Sequence, residues 1–104
     1  MIRLNIKNGD VMKVLLVTYQ VELFNIKSLK EKRSIVKKVL NDLRKKYNIS
    51  VVESGFNDNK KIFEFTLATL SKDKDYLLSF YEKVENEIEY NFGLRILSSE
   101  YEIL

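Results

Sequence analysis

The chain has 104 residues and contains no cysteine, no histidine, no proline and no tryptophan. Without cysteine it has no disulfide, thiolate metal site, iron–sulfur cluster or cysteine nucleophile. Without histidine it lacks the usual general base and the commonest transition-metal ligand. These absences exclude most familiar catalytic and metal centres, so we expect a protein that is not an enzyme and has no metal site and no cofactor.

Long apolar segments are also missing. No apolar run approaches the roughly twenty residues that a membrane-spanning helix needs, and the start, MIRLNIKNGD, lacks the apolar core of a signal peptide. Hydrophobic residues make up 45% of the chain, which is typical of a globular protein. We therefore expect a cytoplasmic protein with no membrane partner.

The most informative segment is Ser28–Tyr47, SLKEKRSIVKKVLNDLRKKY, which has the pattern of an amphipathic helix. Ser28 is a suitable N-cap, and Glu31 has the spacing to reach back to the Ser28 amide. We expect Asn48 to end the helix in a left-handed conformation. Apolar residues at steps of three and four form one face: Leu29, Val36, Val39, Leu40, Leu43 and Tyr47.

The other side of this helix is basic. Residues 27–46 contain nine Lys or Arg and two acids, a local charge of +7 in a chain whose net charge is +3. Lys30, Arg33, Lys37 and Arg44 fall on one stripe beside the apolar face, and Lys38 and Lys45 lie farther out. Such a stripe is suited to the phosphates of an RNA backbone, although a charge run of this kind is more often a solvated, lysine-rich helix surface.

Lys32 is an exception among these cations, because the helical wheel places it inside the apolar sector. Its stem packs there while the ammonium extends past the helix start to solvent, or it forms a buried ion pair with a carboxylate near the end of the sheet. Glu22 and Glu53 are the candidate partners.

The remaining segments alternate between strand and helix patterns. Residues 12–24, 49–56, 61–70 and 94–104 read as strands, and a second, acidic helix begins near Asp73 and stops at Gly93. Phe63 and Phe65 share a strand face with Leu67, so we expect them in the core and not on an open surface where bases stack.

The order strand, helix, strand, strand, helix, strand predicts an α+β, ferredoxin-like sandwich. Its four-stranded antiparallel sheet is expected in the order 4-1-3-2, with both helices on one face. Residues 12–104 form this single domain, and residues 1–11 are an N-terminal arm or an extra strand. The uncovered sheet face would expose Val14, Leu16, Ile62 and Ala68, which predicts a homodimer.

Several motifs resemble the YlxP-like family of small bacterial proteins without an assigned biochemical function. They are SLKEKR at residues 28–33, NISVVE at 48–53, VEL at 21–23 and the closing EIL. Lys27 departs from the family pattern, in which histidine is common. The resemblance implies a ferredoxin-like fold and, through the family's usual neighbours among translation and ribosome-maturation genes, an RNA- or ribosome-associated role.

Together these observations predict a non-enzymatic accessory protein that binds RNA, in particular rRNA, or a ribosome-associated protein. The phosphate contacts are expected from six cations: Lys30, Arg33, Lys37, Lys38, Arg44 and Lys45. The alternative is a homodimeric protein–protein interaction module, in which the basic helix meets an acidic surface of a partner.

Overall fold

The computed structural model describes residues 11–104, which form four strands and two helices in the predicted order. The predicted arm lies outside the described residues except for Val11. The elements are β1 (Lys13–Glu22), α1 (Leu29–Lys46), β2 (Ser50–Gly55), β3 (Ile62–Ser71), α2 (Lys74–Asn86) and β4 (Arg95–Ile103).

The strands form one open antiparallel sheet in the order β2-β3-β1-β4, which reads β4-β1-β3-β2 from the opposite edge. β1 is central, and its Val17 lies opposite Leu67 of β3 and Tyr101 of β4. The register shifts near Gln20 in the β1–β4 pair and near Glu53 in the β2–β3 pair. The protein is therefore an α+β protein with a four-stranded antiparallel sheet.

Alternate residues of the central strands form the core with the apolar faces of both helices, so α1 and α2 cover the same face of the sheet. Phe63 and Phe65 are fully buried with their ring centroids 5.8 Å apart, which confirms that they belong to the core. The apolar face predicted for α1 is confirmed at Val36, Val39, Leu40 and Leu43, which are buried, while Leu29 and Tyr47 are half-buried. The buried apolar residues of the second helical segment are Leu77, Phe80, Val84 and Ile88.

The first turn of α1 is capped from both directions. The Ser28 hydroxyl accepts a hydrogen bond from the Glu31 amide at 3.1 Å, as predicted. The Glu31 carboxylate, however, accepts from the amide of Lys27 at 3.2 Å and not from that of Ser28. The reciprocal bond is thus displaced by one residue, and it holds the loop that enters the helix.

The end of α1 differs from the prediction. Tyr47 is already extended, with φ −130° and ψ 149°, and its amide donates to the Leu43 carbonyl at 2.9 Å. The chain therefore enters β2 without a left-handed cap, and Asn48 is not left-handed. Among residues 11–104 the only residues other than glycine with positive φ are Asn25 and Phe56.

α2 starts at the Asp73 cap, whose carboxylate accepts from the amides of Asp75 and Tyr76. The helix continues into one π-helical turn, Glu87–Asn91, which was not predicted. Gly93 follows with φ +66°, in agreement with its predicted role as the helix stop. This turn brings Glu87 towards the last turn of α1.

Candidate nucleic-acid interface

The outer side of α1 carries the six predicted cations, and we call this surface the basic face. All six side chains are exposed: Lys30, Arg33, Lys37, Lys38, Arg44 and Lys45. At a rise of 1.5 Å per residue, the face is about 22 Å long from the first cation to the last. α1 is packed against the sheet through its opposite face, so the cations are held on a rigid element.

Two of the six cations are already engaged by neighbouring groups. The Arg44 guanidinium donates to Asn41 Oδ1 and to the carbonyl of Val51, both at 2.8 Å, and so ties α1 to β2. Lys38 forms an exposed ion pair with Asp42, four residues later, with 3.3 Å between the charged atoms. Arg44 is therefore partly structural, while the exposed pair of Lys38 adds little stability.

The other four cations are Lys30, Arg33, Lys37 and Lys45. Within residues 11–104, none of them forms an ion pair or a side-chain hydrogen bond. They can therefore approach an anion without giving up a contact in the protein. This makes them the part of the basic face best suited to a polyanionic ligand.

Lys46 lies next to the basic face but has a different partner. Its ammonium is 2.7 Å from Glu87 Oε2, and this bond joins the last turn of α1 to the π-helical turn. The hydrogen bond from Lys46 holds the pKa of Glu87 below its usual range and raises the pKa of Lys46. Lys46 thus fixes the end of the helix, and its charge is already paired.

Lys32 points the other way, into the protein. Its side chain is 1% exposed, so the ammonium does not reach solvent. The alternative in which the ammonium extends past the helix start to solvent is therefore wrong. The ammonium donates to the carbonyl of Phe56 and lies 3.9 Å from Glu53 Oε2. Glu22, the other candidate partner, instead lies 4.0 Å from Arg95.

The strand pairing explains why Glu53 meets Lys32. Glu53 lies opposite Phe65, so it belongs to the side of the sheet that faces the helices. Its side chain remains 26% exposed and keeps some hydration. Burial lowers the pKa of Lys32, and the nearby carboxylates of Glu53 and Asp58 oppose that shift.

Phe56, which receives the hydrogen bond from Lys32, has an unusual backbone. Its φ is +59°, which is unfavourable for a bulky side chain and is seen where other contacts impose it. The carbonyl accepts from the Asn59 amide at 3.0 Å as well as from Lys32. Phe56 as a whole is 41% exposed. No feature of the residue type predicted this conformation.

The uncovered face of the sheet differs from the basic face in charge and chemistry. Hydroxyl groups of Thr18, Thr66 and Ser54 form a chain of 2.8 Å hydrogen bonds across three strands. The register also places four carboxylates on this face, those of Glu22, Glu64, Glu100 and Glu102. A polyanion would therefore favour the outer side of α1 over this face of the sheet.

Across residues 11–104, no three acidic side chains converge in the way that a metal-ion cluster requires. No helix in that part of the chain is long and apolar enough to cross a membrane.

Comparisons with known proteins place this chain in a family. A 52-residue segment is 33% identical to "Uncharacterized protein YlxP" of Bacillus subtilis (strain 168), and the alignment covers 50% of this chain and 56% of that protein. The chain thus spans about half the length of this curated relative. The de novo designed protein Foldit4 is 18% identical, with 89% of this chain and 93% of that chain covered and a TM-score of 0.46. Residues 14–101 match the family described as protein of unknown function, DUF503. Because that match spans most of the chain, the protein belongs to the YlxP-like family DUF503.

Proposed function

We propose that this protein is a non-enzymatic, cytoplasmic RNA-binding accessory protein that associates with the ribosome and contacts rRNA phosphates through the basic face. One observation carries the proposal: four cations without partners among residues 11–104, Lys30, Arg33, Lys37 and Lys45, project from one rigid helix. Cations on a preformed helix lose little backbone freedom when they bind. The carboxylates on the opposite sheet face orient the protein on a polyanion.

The proposed contacts are to phosphate groups, so they recognise charge and spacing and not base sequence. Affinity should therefore fall steeply as salt concentration rises. We also propose that the fold belongs to the ferredoxin-like class, because the order of elements and the placement of both helices on one face are those of that class.

The test is a charge reversal of two unengaged cations, Arg33→Glu with Lys37→Glu. RNA binding is measured by fluorescence anisotropy at several salt concentrations. We expect the double variant to lose binding at low salt, or to show a salt slope lower by about 1.4 to 1.8 because two phosphate contacts are lost. Arg44 is left intact, since its replacement would also break the hydrogen bond to Val51.

The matched control makes the same change of charge on α2, Lys74→Glu with Lys83→Glu. Both of these lysines are exposed, and neither forms an ion pair within residues 11–104. We expect the control to bind RNA nearly as well as wild type and both variants to keep the wild-type melting temperature. RNA binding by wild type that is absent at low salt, or equal loss in the two variants, contradicts the proposal.

The alternative is that the basic face binds an acidic surface of another protein. Crosslinking in cells, followed by recovery with and without ribonuclease, separates the two functions. Ribonuclease-sensitive recovery of ribosomal components supports RNA binding. Recovery of one protein that survives ribonuclease and is lost with Arg33→Glu and Lys37→Glu supports the alternative.

We propose in addition that the protein forms a homodimer through the uncovered sheet face. Val14 pairs with Leu70 and Leu16 with Ala68, which places these apolar side chains side by side at one end of that face. Val52 on β2 is also exposed. Light scattering should show a dimer for wild type and a monomer for Leu16→Glu, and a monomeric wild type at high concentration would contradict this arrangement.

A further inference from the structure

A shallow groove lies at the end of the sheet where β1 leads into α1 and β2 turns into β3. It has a volume of about 300 Å³ and is lined by Phe24, Asn25 and Ile26 on one side and by Lys60 and Lys61 on the other. This is the lower end of the size range of small-molecule sites. An aromatic ring and two cations therefore border one concave surface.

The walls of the groove are fixed by backbone contacts. The Leu23 amide donates to the Lys61 carbonyl at 2.7 Å, which links the two walls directly. Asn59 Oδ1 accepts from the amides of Lys61 and Ile62 at 2.7 and 3.1 Å, and so holds the turn that carries the lysines. The groove is preorganised and does not have to form when a ligand arrives.

The side chains that face solvent here are unusual for a loop. Phe24 is 53% exposed, although its neighbours Leu23 and Ile26 are buried or half-buried. In residues 11–104, the ammonium groups of Lys60 and Lys61 form no ion pair. Glu22 also borders the groove, and Arg95 lies 4.0 Å from its carboxylate.

A second exposed aromatic ring stands on the adjoining turn. Phe56 keeps its left-handed backbone because Lys32 and Asn59 both hold its carbonyl. Both aromatic rings are thus in loops at one end of the sheet, where α1 also presents its first free cations, Lys30 and Arg33. A strand of RNA on the basic face would reach this end without crossing the acidic sheet face.

We propose that this groove binds an unpaired nucleotide of single-stranded RNA, with the base stacked on Phe24 and the phosphate near Lys60 and Lys61. The proposal rests on the proposed function and narrows its ligand to RNA that contains unpaired bases. Phenylalanine rings stack on any base, whereas a base inside a duplex cannot reach such a ring without being unstacked. Lysines beside the ring supply the charge that the phosphate requires.

The first test compares Phe24→Leu with wild type on two RNAs, an oligouridine and a blunt-ended duplex with the same strand length. Leucine keeps the apolar packing and removes the aromatic face. We expect affinity for the oligouridine to fall about tenfold and affinity for the duplex to change less than about twofold, since only an unpaired base stacks. Tyr90→Leu is the matched control, because Tyr90 is 80% exposed and does not line the groove.

The second test uses the absence of tryptophan from the chain. Phe24→Trp places one tryptophan in the groove, and we expect oligouridine to quench its fluorescence while the duplex does not. Tyr90→Trp should respond to neither. An unquenched Phe24→Trp signal under conditions where RNA is bound overturns this inference. So does an equal loss of affinity for both RNAs in Phe24→Leu. Either result leaves the proposal of RNA binding through the basic face intact. A wild type that binds neither RNA overturns both proposals.

Discussion

Replacement of Lys32 by methionine tests the contact that joins α1 to the turn after β2. Methionine keeps most of the volume of the buried stem and removes the ammonium that donates to the Phe56 carbonyl. A hydrogen bond from a charged donor contributes about 1.5–3 kcal/mol. Removing a buried charge recovers part of this, and the Asn59 amide still satisfies the carbonyl. We therefore expect Lys32→Met to lower the free energy of unfolding by about 1–2 kcal/mol at pH 7.

Lys32→Ala should cost more, because it also removes the stem that packs in the core. Adding the cavity to the lost bond gives an expected loss of about 3–5 kcal/mol. Lys30→Met is the matched control, since Lys30 is exposed and lies two residues away. It should change stability by less than about 0.5 kcal/mol. Urea unfolding followed by circular dichroism provides all three values.

The pH dependence gives a sharper test. Burial lowers the pKa of Lys32 from its ordinary value of 10.5, while Glu53 of β2 and Asp58 of the turn after β2 oppose that shift and Arg33 adds to it. Between the folded pKa and 10.5 the unfolded chain binds the proton more readily than the native protein does. Stability contributed by this group therefore rises with pH across that window.

The difference in the free energy of unfolding between wild type and Lys32→Met should accordingly grow in favour of wild type as pH is raised from 7 towards 10. The other ionisable groups are common to both proteins, so their contributions cancel in the difference. An advantage that shrinks with pH would mean that Glu53 and not burial controls the lysine. A variant as stable as wild type at every pH would show that the contact with Phe56 adds no net stability.

Further expectations concern the core, the helix cap and the strained turn. Leu40→Ala should lose about 2–5 kcal/mol in urea unfolding, and Leu40→Asp should abolish the cooperative melt, because the residue is buried against the sheet. Ser28→Ala should cost about 1 kcal/mol and Ser28→Gly only a few tenths, since the hydroxyl caps the Glu31 amide. Phe56→Gly should leave the free energy of unfolding within about 1 kcal/mol of wild type. Glycine relieves a left-handed backbone that costs about 1–2 kcal/mol, and this offsets the lost packing of the ring. A larger loss in thermal melts would mean that the ring is needed for the fold.

The elements and the core were predictable because each depends on short-range periodicity. Alternation marked Leu15, Val17 and Tyr19 as one strand face, and steps of three and four marked Val36, Leu40 and Leu43 as one helix face. Those patterns hold wherever one side of an element is buried. The α+β arrangement follows from the order of the elements.

The left-handed residues were not predictable in the same way. The sequence pointed to Asn48, a residue type that tolerates positive φ, but the chain leaves α1 in an extended conformation. Phe56 takes positive φ although its residue type disfavours it, because the carbonyl is held by a lysine 24 residues earlier. A contact at that separation leaves no periodic signal.

The basic stripe was predictable from the sequence, but which of its cations already have partners in the protein was not. Arg44 has the same wheel position as the free cations, yet it donates to a carbonyl on the next strand. Lys38 has an acidic residue four positions later, the spacing at which such pairs form on a helix, but this pair was not predicted. The predicted strand 12–24 included Phe24, but β1 ends at Glu22 and leaves this exposed residue in the loop before α1, where alternation carries no information.

The SLKEKR motif, residues 28–33, contains residues that stabilise the fold and residues that point to solvent. The presence of the motif is therefore not by itself evidence of a binding site. Ser28 caps the helix, Glu31 holds the entering loop and Lys32 is buried against Phe56. These roles account for half of the motif without any ligand. Lys30 and Arg33 are exposed and form no ion pair within residues 11–104. Under the proposed function, Lys30 and Arg33 are therefore the residues of the motif that would contact RNA. Substitutions at Ser28, Glu31 or Lys32 would first change stability, and any loss of RNA binding they cause would have to be separated from that effect.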